Sequence, residues 1–304
     1  MAESREWQNH KGRMLDSVKG FDVIECETCG FKHIVPIPSQ EELETVYRHE
    51  YYSLEKPLYL ERVKEDIEWW NLVYSERFDT FEELLPPYRR RILDAGSGPG
   101  YFLLHGKQRG WQVLGIEPSA QAAAHSRELG IEIIEDFLTE ETAKGLGTFD
   151  VVHMSEVLEH IPNPKSLLHT ASNILAPGGL LCVVVPNDYN PFQYALRKAC
   201  GYAPWFVAPP HHINYFDFKS LRYLLESCGF EVVFQEATFP IDIFLLMGDN
   251  YVGNDMLGRQ CHAKRKILEQ NLAKAGLTDL KRRLSQAFAS MNIGREVQVI
   301  GRRS

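Results

Sequence analysis

A carboxylate and three glycines, Asp94, Gly96, Gly98 and Gly100, stand together in the segment Arg-Ile-Leu-Asp-Ala-Gly-Ser-Gly-Pro-Gly-Tyr-Phe that ends at Phe102. Apolar residues precede the glycines, and Tyr101, Phe102 and Leu104 follow against Lys107 and Gln108. This predicts a strand, a tight turn and a helix closed by Gly110. Glycine permits positive φ and a ligand's close approach to the main chain, and the N–H groups of the helix start are left facing that ligand. The chemistry implied is nucleotide binding. A dinucleotide fingerprint would put its last glycine at position 101, which is Tyr101, and Asp94 at the strand's carboxyl end suits a cationic ligand group. Glu117 follows about 20 residues later, where a carboxylate accepts from both hydroxyls of a ribose.

Further candidates sit at the ends of later apolar runs. Asp136 and Phe137 follow the third run, and Met154 opens Met-Ser-Glu-Val-Leu-Glu-His-Ile-Pro-Asn-Pro after the fourth. Asp188 lies in Pro-Asn-Asp-Tyr-Asn-Pro after the fifth. His211, His212 and Tyr215 stand among aromatics and prolines in residues 202–216. Two adjacent histidines in such a segment supply a base in a water-poor pocket, or else tie a loop to the helix that follows.

The run Leu-Asp-Ala-Gly-Ser-Gly-Pro-Gly resembles motif I of the class I S-adenosylmethionine (SAM) dependent methyltransferases, and the segment after Met154 and Ala-Pro-Gly-Gly at 176–179 resemble their later motifs. The resemblance covers about residues 89–238. It implies that Asp94, Gly96, Ser97, Gly98, Gly100, Glu117, Pro118, Asp136, Phe137 and Met154 hold SAM, with Asp136 accepting from the adenine amine and Phe137 beside the ring. Residues 186–216 resemble bacterial methyltransferases that modify sugars and surface polysaccharides. That implies methyl transfer to an oxygen or nitrogen of a small molecule, a sugar or glycan precursor, with His212 as general base, His211 its alternate, and Tyr215 and Asp188 beside them. Nothing within these 304 residues resembles the further C-terminal domain of sugar C-methyltransferases, so transfer to carbon is not expected, and the Asn/Asp-Pro-Pro-Tyr and Pro-Cys motifs of DNA methyltransferases do not occur at the expected places. An RNA or protein methyltransferase of the same fold, or a non-catalytic SAM-binding protein, is the alternative.

The elements that must carry these residues alternate regularly. Strand patterns at 91–95, 112–117, 131–134, 149–154, 180–185, 230–236 and 295–301 are separated by helical ones with Ser119 and Asn163 as caps. The fold expected is α/β, a doubly wound, mostly parallel seven-stranded Rossmann-like sheet, with residues 88–304 as the methyltransferase domain and a helical insertion at 239–293 before the last strand. Residues 1–87 form an N-terminal appendage: an irregular lead over 1–20, a Cys26/Cys29 hairpin, a short helix capped by Ser39, Tyr51 and Tyr52 in a loop, and a helical cap over 61–85. The cap carries an apolar stripe of Val63, Ile67, Trp70, Tyr74, Phe78, Phe81 and Leu85.

The 304 residues are 44% hydrophobic and carry a formal net charge of -8, so neither a nucleic acid nor an anionic membrane is an expected partner. No apolar run approaches a membrane span, and a cytoplasmic protein with reduced thiols is expected. Cys26-Glu-Thr-Cys29-Gly has the shape of a zinc knuckle, but a tetrahedral site needs four ligands. Related sugar-tailoring enzymes carry a second CxxC upstream that this sequence lacks, and the nearest other ligands are His10 and His33. The expectation is a metal-free hairpin. A redox pair fits less well, because no helical pattern follows the second cysteine.

Overall fold

The computed structural model describes residues 4–7, 9–39, 42–43 and 58–304. The helix expected after Ser39 and the loop of Tyr51 and Tyr52 therefore fall mostly outside the described residues. At the helix start the Glu42 N–H donates to the Ser39 hydroxyl (3.3 Å) and the Ser39 N–H donates to the Glu42 carboxylate (2.9 Å), a reciprocal cap. The chain forms two compact units. One comprises Met1–Ile37, Val184–Leu224 and Phe234–Val299, and the other Pro38–Val183, Leu225–Val233 and Ile300–Ser304.

In the first unit, β1 (Ser4–Trp7), β2 (His10–Val18), β3 (Phe21–Cys26), β4 (Lys32–Val35) and β10 (Asn214–Tyr215) make a five-stranded sheet in that order. The irregular lead expected over residues 1–20 is corrected by β1 and β2. Antiparallel pairing of β2 with β3, with a register shift between Met14 and Asp16, makes a strand of residues whose own alternation is poor. Gly12 is required there, since a Cβ would lie 2.1 Å from the Glu25 carbonyl oxygen.

The larger sheet runs β11-β12-β9-β8-β5-β6-β7. Its strands are β5 (Arg91–Ala95), β6 (Gln112–Ile116), β7 (Ile133–Ile134), β8 (Phe149–Ser155), β9 (Leu175–Pro186), β11 (Phe230–Ala237) and β12 (Glu296–Arg303). β5 pairs parallel to β6 on one side and to β8 on the other. Continuous apolar runs such as Leu180 to Val185, buried throughout, suit strands covered on both faces. Because β6 and β7 lead away from β5 in one direction and β8 and β9 in the other, strand order reverses between β5 and β8, where open α/β sheets bind ligands. β9 begins at Leu175, earlier than expected, since the helix before it ends at Ile174 and Ala-Pro-Gly-Gly is already extended.

The cap expected as one helix over 61–85 is two, α1 (Tyr59–Glu65) and α2 (Ile67–Leu84), broken at Asp66. Trp69, not Trp70, takes the buried place, alongside Tyr74, Phe78 and Phe81. α3 (Tyr101–Gln108) packs tightly on this face: Phe78 stacks on Phe102 at 4.8 Å, and a Cβ on Gly106 would lie 2.4 Å from the Phe78 ring. α4 (Ala120–Glu128), α5 (Glu140–Ala143), α6 (Pro164–Ile174), α7 (Pro191–Cys200) and α8 (Phe218–Ser227) follow. α9 (Asp242–Leu246), α10 (Asp255–Lys274) and α11 (Thr278–Ser290) fill the stretch before β12. Among the described residues no helix is long and apolar enough to cross a membrane.

Candidate active site

At the end of β5 the chain turns through Gly96, Gly98 and Gly100 with φ of 73°, 52° and 79°. Side chains resist these left-handed conformations, and a Cβ on Gly96 would also lie 2.5 Å from Val157 Cγ2. The turn is bound to its neighbours by the main chain. The N–H groups of Gly96 and Ser97 both donate to the Ile116 carbonyl at the end of β6 (2.8 and 3.2 Å), and the Gly98 N–H donates to Glu117 Oε2 (2.8 Å). From α4, the Ser126 hydroxyl donates to the Gly98 carbonyl (3.0 Å), and His125 bonds the Pro99 carbonyl (2.9 Å). The Ser97 hydroxyl is buried with no hydrogen-bond partner among the described residues, and it lies 2.6 Å from where a Cβ on Gly115 of β6 would sit.

Glu117 is buried and accepts from two backbone donors, Gly98 through Oε2 and Ser119 through Oε1 (2.9 Å). Burial pushes its carboxyl up to about 7, the Ser119 and Gly98 amides pull it back, and the Asp94 charge adds to the rise. A carboxylate has about four lone-pair sites and two are used here, so the oxygens keep capacity for the paired hydroxyls of a ribose. Pro118 beside it is half-buried, as are Asp136 and Phe137, which follow β7, where the Phe137 N–H donates to Asp136 Oδ1 (2.9 Å). Met154 is fully buried in β8 opposite Ala95.

Asp94 stands on an assembly that no motif announces. His153 of β8 bonds Asp94 Oδ1 through Nδ1 (2.7 Å), and the Arg77 guanidinium on α2 donates to His153 Nε2 (2.9 Å). An Arg donor on Nε2 leaves the proton on Nδ1, so a neutral imidazole donates to the carboxylate. Burial holds the His153 pKa down against the Asp94 charge, which agrees with a neutral ring. Phe102 covers the ring at 4.2 Å. One signal is in the sequence: a histidine between Val151, Val152 and Met154 in a buried run must find a polar partner.

In the first unit, Asp188 is 1% exposed and its carboxylate oxygens meet no donor at hydrogen-bonding geometry among the described residues, the Gln193 amide being a looser neighbour. Burial pushes this carboxyl up to about 7 against the Arg295 charge. The Tyr215 hydroxyl donates to the His212 carbonyl (3.0 Å) and accepts from the Ala208 N–H (3.2 Å), while the His212 N–H donates to the Ala208 carbonyl (2.9 Å). Tyr215 thus braces the loop, and burial raises its pKa far from use as a base. His211 and His212 are half-buried at the end of that brace. Aromatic edges continue the segment, with Phe206 4.9 Å from Tyr189 and 5.4 Å from Trp205, which lies 5.4 Å from Tyr202.

A family model described as a methyltransferase domain matches residues 69–235, which span the glycine turn, Glu117 and the strands around them. The chain belongs to that family. The ubiquinone biosynthesis O-methyltransferase of Caulobacter sp. strain K31 is 39% identical over 128 residues, 40% of this chain and 51% of that protein. The enzyme of the same description from Salmonella typhimurium is 34% identical over 98 residues, 30% of this chain and 40% of that protein. The chain therefore matches about half the length of these curated relatives or less. Among solved structures, magnesium protoporphyrin IX methyltransferase from Synechocystis with bound S-adenosylhomocysteine (SAH) has a TM-score of 0.52 at 13% identity, covering 88% of this chain and 100% of that one, a likeness of fold. The domain is a class I SAM-dependent methyltransferase, and the matches do not single out the sugar and polysaccharide group. SAM fits the donor set at its glycine turn: ribose hydroxyls for Glu117, a cationic amine for Asp94, and a half-exposed Asp136 and Phe137 for adenine.

Proposed function

We propose that this methyltransferase moves a methyl group from SAM to a hydroxyl oxygen of a small ring-bearing molecule. The cofactor when bound supplies an electrophilic methyl on a sulfonium. The glycine turn, Glu117, Asp94, Asp136 and Phe137 hold it, so that positioning rather than covalent chemistry carries the rate. His212 takes the acceptor proton, Tyr215 holds the loop that presents the imidazole, Asp188 stands on the acceptor side with them, and His211 is the alternate base within that loop. The observation that carries the reading is the buried Glu117 carboxylate, tied to the glycine turn and to the start of α4 with acceptor capacity left over.

The relatives' description as O-methyltransferases supports oxygen as the target. A sugar or glycan precursor is the finer form of the proposal, supported by the resemblance of residues 186–216 and by their aromatic edges, which suit the face of a ring. The test is transfer of labelled methyl from SAM into a panel of phenols, catechols and nucleotide sugars. Label in the ether fraction is expected. SAH binding with no label in any hydroxyl compound would overturn the O-methyl reading.

A further inference from the structure

We infer that the N-terminal sheet holds a structural zinc ion on His10, Cys26, Cys29 and His33. This reverses the expectation of a metal-free hairpin. One ligand atom from each of the four lies within 4.8 Å of the others, although His10 precedes Cys26 by 16 residues. Zinc about 2.3 Å from sulfur and about 2.0 Å from nitrogen sets tetrahedral S and N ligands about 3.5 Å apart. His10 Nδ1 lies 3.6 Å from Cys26 Sγ and 3.4 Å from Cys29 Sγ, the edges such a tetrahedron requires.

His33 supplies the second observation. It is 1% exposed, its Nδ1 bonds the Ile34 carbonyl (2.9 Å), and its Nε2 is buried with no hydrogen-bond partner among the described residues. A proton fixed on Nδ1 by a backbone carbonyl leaves a lone pair on Nε2, which is the way a metal-binding imidazole is oriented. The two rings meet edge to face at 4.7 Å, so they converge rather than stack. Main chain prepares the thiols. The Cys29 N–H donates to Cys26 Sγ (3.4 Å), where thiolate charge would sit, and Gly30 turns the chain at φ 79°. Two soft and two imidazole donors in a tetrahedron select zinc over calcium or magnesium.

The ion would staple β2, the β3–β4 turn and β4 at one point. β4 carries β10 as its next strand, with Asn214 opposite His33 and Tyr215 opposite Lys32, so the staple reaches the loop braced by Tyr215. Full-length protein without a histidine tag, purified under reducing conditions, is measured by elemental analysis and then exchanged with cobalt(II). One zinc per chain is expected, together with intense visible cobalt bands and a thiolate-to-cobalt charge-transfer band. Cys29→Ser and His33→Gln should each lower zinc content at least about tenfold, while SAH affinity is retained. Wild-type protein that carries no zinc and gives only the pale spectrum of octahedral cobalt overturns the inference, as does undiminished zinc in both variants. If the variants do not fold, the wild-type cobalt spectrum decides.

Discussion

The glycine turn after β5 and the histidine loop before β10 are both irregular backbone, and they are held in opposite ways. In the turn, bare glycines bend the chain and their amides meet Ile116 and Glu117, so main-chain bonds do the holding. In the loop, a side chain does the holding: the Tyr215 hydroxyl bonds the main chain of both Ala208 and His212. A cofactor common to a family suits a site made of main chain, which tolerates little change. An acceptor that differs between enzymes suits side chains on a braced loop, which can be exchanged one at a time.

The contrast breaks first at Gly98. Gly98→Val places a branched side chain at φ 52° and in the path of the cofactor, and SAH affinity should fall about a hundredfold or more by calorimetry. Affinity equal to wild type would mean that the backbone surface is not the cofactor site. The loop should behave in the reverse sense. His212→Ala should leave SAH affinity unchanged while kcat falls about a hundredfold in single-turnover assays, the usual contribution of a positioned base. If His212→Ala and His211→Ala both keep near-normal kcat, the pair is structural.

Tyr215→Phe separates holding from chemistry. It removes a hydroxyl that serves one donor and one acceptor in a buried place, and should cost about 1–3 kcal/mol in thermal unfolding. The loss in kcat/KM should fall mostly on KM for the acceptor, since the imidazole is displaced rather than deleted. A loss as large as that of His212→Ala, with stability unchanged, would instead give Tyr215 a direct part in the reaction.

What could be read from the sequence follows the same division. The turn, Glu117 and the caps at Asn163 and Ser39 are local signals, each complete within a few residues or one strand-helix step. Arg77, His153 and the zinc quartet are not local. Arg77 lies 76 residues from His153 on a helix whose stripe reads as packing, and the four metal ligands converge only because β2 forms a strand through pairing rather than through pattern. The loop histidines were visible as candidates, but their presentation depends on a tyrosine hydroxyl whose target no spacing rule specifies. Tyr215, offered by the sequence as a catalytic group, bonds the loop's main chain at Ala208 and His212.

The smallest effect expected concerns protons at Glu117. In the free protein burial raises its carboxyl to about 7, above the ordinary carboxylate range, so its contribution to stability is present at low pH and lost as pH rises through about 7. Ribose hydroxyls donate to a carboxylate, so cofactor binding favours the ionised form and must pull the pKa back down. SAH affinity should then rise with pH, about tenfold weaker at pH 6 than at pH 8, with close to one proton released per SAH bound at pH 6 and little at pH 8. The Asp94 charge, bonded to His153, adds to the rise. Calorimetry in buffers of different ionisation enthalpy reads the proton count directly, and the gain in Tm on adding SAH should grow from pH 6 to pH 8. Glu117→Gln should bind more weakly at every pH and lose the slope. A slope that survives in Glu117→Gln would assign the proton to another group and remove Glu117 from the ribose.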